Sequence, residues 1–83
     1  MKSQQQTLED IHLSAALVCN GCSLMSVREV VRGRFAFIFE ETPEQEQLVS
    51  DYWNGAMRIE PRQFANAIRE LKARTKVQLY SIS

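Results

Sequence analysis

A small α+β domain is the fold class this sequence predicts: a helix, a β-hairpin, two further helices joined by a short extended segment, and a C-terminal stretch read as a strand. Three observations carry it. Phe35, Phe37 and Phe39 recur with a period of two, the spacing of one face of a strand. Punctuating pairs stand at Asn20-Gly21, Thr42-Pro43 and Asn54-Gly55, where helices start or stop. Phe64, Ala67, Ile68 and Leu71 follow the i, i+3, i+4, i+7 spacing of a buried helix face. The chain of 83 residues holds one domain, and at 45% hydrophobic it is too apolar to be disordered. Residues 1–6 read as a polar, frayed tail and residues 7–83 as the domain.

Thr7 is placed to cap the first helix, with Asp10 in a capping-box position. That helix is expected over Leu8 to Cys19, its buried face built on Ile11, Ala15 and Val18, and Asn20-Gly21 ends it. Ser23 to Val31 reads as a strand of imperfect alternation. Arg32-Gly33 then suits a tight turn, and Arg34 to Glu40 is the clearest strand in the chain. Its Ala36 and Ile38 make the second face apolar too, which predicts cover on both sides. Thr42 caps the second helix, Pro43 takes its first position and Gln45 completes the box. Leu48, Val49, Tyr52 and Trp53 form its apolar stripe, and Asn54-Gly55 stops it. Met57 and Ile59 alternate with Arg58 and Glu60 in a short extended piece before Pro61 opens the third helix. Thr75 to Ser83 is compatible with helix or strand; Val77, Tyr80 and Ile82 favour a strand.

Charge is balanced in total, ten basic against ten acidic residues, and unbalanced in place. Residues 40–60 carry six acids against Arg58, a net of −5; residues 61–83 carry five bases against Glu70, a net of +4. Neighbouring elements that neutralise each other, within the fold or across a dimer, account for this more simply than a nucleic-acid surface, since the whole chain has no basic excess.

Cys19 and Cys22 form a C-x-x-C pair. Zinc takes about four ligands, and His12 is the only histidine to add. A redox pair belongs at a helix N-terminus, where the dipole lowers a thiol pKa; this one flanks a helix end. Both cysteines are therefore read as small packing residues, with no metal and no cofactor expected. Free thiols, a polar start and no long apolar run predict a cytoplasmic protein without a membrane span. No catalytic residue is assigned: His12 lies between Ile11 and Leu13 with no nucleophile in pattern beside it, and no glycine-rich phosphate loop occurs.

The strings Phe37-Ile38-Phe39-Glu40-Glu41-Thr42-Pro43-Glu44, Leu48-Val49, Tyr52-Trp53-Asn54-Gly55, Pro61-Arg62-Gln63-Phe64, Asn66-Ala67 and Arg69-Glu70-Leu71-Lys72 resemble a family of short bacterial, archaeal and phage domains catalogued as a domain of unknown function. The resemblance runs from about His12 to Arg74. It departs at the cysteine pair and at the longer tail. It implies no activity, cofactor or catalytic residue; an occurrence in phages favours an accessory or host-directed binding role.

If the chain has a ligand site, the segment Tyr52 to Phe64 is where it is expected; the simpler account of the same residues is that Trp53 and Phe64 pack in the core and Arg62 pairs with a nearby acid. Tyr52 and Trp53 are adjacent on a helix and point about 100° apart, so both cannot enter one core stripe. Arg58 and Arg62 stand near a helix N-terminus, whose free N–H groups attract anions. The candidate surface is therefore Tyr52, Trp53, Arg58 and Arg62. The expected function is a non-enzymatic protein-binding module that self-associates, through the second helix or the tail, or contacts a host or phage protein. The alternative is a nucleic acid or nucleotide bound at the same segment.

Overall fold

The computed structural model describes residues 5–80. In chain order these form β1 (Gln5–Leu8), α1 (Ile11–Cys19), β2 (Leu24–Val31), β3 (Arg34–Glu40), α2 (Pro43–Trp53) and α3 (Pro61–Tyr80). The fold is α+β: a three-stranded antiparallel sheet in the order β1-β3-β2 with helices packed on one face. None of the described helices is long and apolar enough to cross a membrane.

β3 is the centre of the sheet because it is the most apolar strand. Phe37 and Phe39 point toward the helices and join Leu13, Ala15, Leu17, Ala67 and Leu71 in the core. Ala36 and Ile38 lie on the opposite face. They are buried, with Arg28 beside Ala36 and with Thr7 and Ser26 flanking Ile38 across the strands. The cover expected from a second layer is thus supplied on that side by neighbours within the sheet. The β2–β3 hairpin turns at Arg32-Gly33, where Gly33 has φ +81° and its N–H donates to the Glu29 carboxylate at 2.9 Å. Register shifts between Leu24 and Ser26 and between Glu29 and Val31 explain the imperfect alternation of β2, since a bulge adds a residue and turns the side chains that follow.

Three sequence expectations are corrected. Gln5 and Gln6, assigned to a frayed tail, belong to β1, paired as Gln5↔Glu40 and Gln6↔Phe39; residues 1–4 lie outside the described residues. Glutamine has no strong preference for strands, and the unpaired edge of β3 supplies the backbone partners that make this a strand. With Thr7 and Leu8 in β1, α1 starts later. Asp10 is its N-cap, its carboxylate accepting from the N–H groups of His12 at 2.9 Å and Leu13 at 3.1 Å. The strand expected at the C-terminus is helix: α3 continues to Tyr80, and residues 81–83 lie outside the described residues. After Pro61 no glycine or proline interrupts the chain, and extending a helix already nucleated costs little. Leu71, 3% exposed, anchors it on the core, and α3 packs across both α1 and β2.

The helix stops match expectation. Gly21, at φ +87°, lets the N–H groups of Gly21 and Cys22 reach the carbonyls of Val18 and Leu17, both at 3.0 Å, the paired bonds of a Schellman cap. Gly55 and Ala56 repeat this on Tyr52 and Asp51. Thr42 caps α2 by accepting from the Gln45 N–H at 3.1 Å. The reciprocal half of that box is not made: the Gln45 side chain is buried, and neither its nitrogen nor its oxygen has a partner among the described residues.

Candidate functional site

The second Schellman cap positions the segment singled out by sequence. It ends α2 with Tyr52 and Trp53 on its last turn and sends the chain into an extended stretch leading to Pro61. Tyr52 turns inward and packs at the margin of the core. Trp53 turns out and is 64% exposed. The two rings stand edge to face, centroids 5.1 Å apart at 85°, a favourable aromatic geometry. The expectation that one of them would leave the core is met, and the exposed one is the larger.

Along 57–60 the alternation read from sequence holds: Met57 and Ile59 are half-buried, Arg58 and Glu60 exposed. Met57 and Ile59 join Tyr52, Gly55, Pro61 and Phe64 in lining an open, mostly apolar groove of about 400 Å³. That is within the usual range of small-molecule and side-chain pockets. Phe64 is half-buried rather than a full core residue; its ring also lies 6.4 Å from that of His12, linking the starts of α1 and α3. Met57, Ile59, Pro61 and Phe64 were not among the residues chosen from sequence. For Met57 and Ile59 the signal was alternation with Arg58 and Glu60, outweighed there by the arginines; Phe64 reads from sequence as part of the buried face of the third helix.

Those arginines stand apart from the groove. Arg58 and Arg62 are exposed and outside the groove lining. The N–H groups at the start of α3 are already taken. The Glu60 carboxylate accepts from Arg62 N–H at 3.0 Å and from Gln63 N–H at 3.1 Å, so the protein's own anion occupies the place where a phosphate would sit.

Elsewhere the chemistry is sparse. Cys19 and Cys22 are free and half-buried. Burial pushes both thiols above the ordinary range, with the nearby Glu60 carboxylate adding to the shift at Cys19. That direction opposes thiolate chemistry. His12 is largely exposed, its Nδ1 3.8 Å from Asp10, whose carboxylate is engaged in capping. Among the described residues no group of three or more histidine, cysteine or acidic side chains is arranged to hold a metal. A second cavity of about 310 Å³ opens beside Cys22, between the α1 cap and the start of α2, with Glu40 and Glu44 on its wall.

No curated protein and no solved structure matches the chain. A family model described as "Domain of unknown function (DUF5659)" matches residues 3–77, beginning in the segment before β1 and ending within α3. With nearly the whole chain matched, the protein belongs to the DUF5659 family, a domain of unknown function.

Proposed function

We propose that this domain is a non-enzymatic protein-binding module whose contact surface is the groove between α2 and α3. The observation that carries this reading is a single one. An open apolar groove of about 400 Å³, lined by Tyr52, Met57, Ile59 and Phe64, lies beside a tryptophan that is 64% exposed. Aromatic residues and methionine are enriched at protein interfaces, and buried tryptophans are frequent binding hot spots. The raised thiols and the cap-engaged Asp10 support a binding role over catalysis. Nucleotide binding at this segment is the weaker alternative, because an incoming phosphate would compete with the Glu60 carboxylate for the α3 N–H groups. The test is capture from an extract of the source cell, comparing the natural chain with Ile59→Asp. A protein retained by the first and lost by the second supports the role. Retention of nucleic acid, seen as absorbance at about 260 nm, or equal behaviour of the two chains, overturns it.

A further inference from the structure

We infer that the groove accepts a second copy of this chain, with Trp53 of each subunit seated in the groove of the other about a two-fold axis. This rests on the protein-binding role and names the partner. The first support is placement. Trp53 is exposed, and its ring stands 5.1 Å from that of Tyr52, which lines the groove. The projecting side chain and the recess are therefore neighbours on one surface. A two-fold axis passing beside them brings each tryptophan to the opposite recess, the self-complementary pattern of an isologous interface.

The second support is charge. The groove sits where the acidic stretch 40–60, net −5, meets the basic stretch 61–83, net +4. Among the described residues the ion pairs are His12–Asp10 and Arg34–Glu9; neither joins α2 to α3. Among the described residues, no ion pair joins the acids of α2, Glu44, Glu46 and Asp51, to the bases of α3. A two-fold axis at their junction sets α2 of one subunit against α3 of the other, opposite charges facing. The third support is shape. The Cα trace is only 17 Å through its thinnest direction, and so small a domain gains most from burying apolar surface against a copy of itself. One rival route, pairing along the β2 edge, is blunted because Met25 and Val30 fall at register shifts, which spoil edge pairing.

Trp53 is the only tryptophan, so its fluorescence reports its own burial. The experiment is sedimentation of the full chain from about 1 to 100 µM, a range set by ordinary interface affinities, with emission spectra at each concentration. The natural chain is expected to form a dimer in the upper range, with emission shifting to shorter wavelength as it forms. Raising salt to about 0.5 M, where screening is strong, is expected to weaken the dimer several-fold. Trp53→Ala is expected to sediment as a monomer throughout with an unchanged far-ultraviolet circular dichroism spectrum. Ile59→Asp is expected to be monomeric, with long-wavelength emission at every concentration. A natural chain that is monomeric throughout, or a Trp53→Ala chain that associates as tightly as the natural one, overturns the inference. If the natural chain is monomeric while Ile59→Asp still abolishes capture from extract, the protein-binding role stands with another protein in the groove; if both fail, both readings fall.

Discussion

Replacing Glu60 by alanine tests how the start of α3 is held. Its carboxylate accepts from two backbone N–H groups, at 3.0 and 3.1 Å, and lies at the positive end of a 20-residue helix. Loss of an N-cap side chain costs about 0.5–2 kcal/mol, typically about 1, and the dipole accounts for about 0.3–1 kcal/mol of such effects at exposed sites. A loss near 1 kcal/mol is therefore expected. In a domain of this size that lowers Tm by about 4–8 °C. Urea unfolding followed by circular dichroism reads it, with Glu60→Asp as a control that keeps a capping carboxylate. The same change has a second, independent readout. Glu60 is the lesser of two causes that raise the Cys19 thiol, burial being the larger. In a Cys22→Ser background, Glu60→Ala should move the Cys19 titration down toward its ordinary value of 9.0 without reaching it. A variant as stable as the parent, with an unmoved thiol titration, would refute the placement of this carboxylate.

Phe39, fully buried in the core, should cost about 3–5 kcal/mol when cut to alanine, a large share of the roughly 4–12 kcal/mol total typical of a chain this long; unfolding below about 1 kcal/mol of loss would contradict its central position. Arg62→Ala should change stability by no more than about 1 kcal/mol, as exposed charges do, and leave anion affinity where it was, because the N–H groups it flanks are already bonded; phosphate titration checks the second point. Gly21→Ala meets open space but keeps φ +87°, so strain of about 1–2 kcal/mol is expected, read as a drop in the urea midpoint. Cys19→Ser with Cys22→Ser should retain the fold and its indifference to chelator, whereas unfolding of the natural chain by chelator would expose a metal site. In the natural chain both thiols are raised above the unfolded value of 9.0. Their contribution to stability is complete below that pH and is lost as pH climbs through the higher folded values; a stability profile flat to alkali would contradict it.

Part of the fold and part of the site could be read without coordinates, and the division follows the range of the forces involved. The caps at Asn20-Gly21, Thr42-Pro43 and Asn54-Gly55 and the turn at Arg32-Gly33 depend on residues close in sequence, through φ preference and short hydrogen bonds. So does the alternation of Phe35, Phe37 and Phe39. Each of these appears in the structure where the sequence put it. Near the site, adjacency alone implied that Tyr52 and Trp53 must part company. Which of them faces the protein was decided by what α2 packs against, and that information is spread over α1 and α3. β1 could not be read because Gln5 and Gln6 form a strand only through pairing with Glu40 and Phe39, more than thirty positions away. The last turns of α3 were misread for a related reason: the β preference of Val77 and Tyr80 is weak against a helix already anchored at Leu71. The groove itself joins residues of α2, the extended stretch and α3. Pro61 marked the start of α3 in the sequence, but that the Glu60 side chain turns back onto the Arg62 and Gln63 N–H groups is a matter of its conformation in the fold. Local chemistry is written along the chain; surfaces and cavities are made by elements meeting, and only the folded structure brings them together.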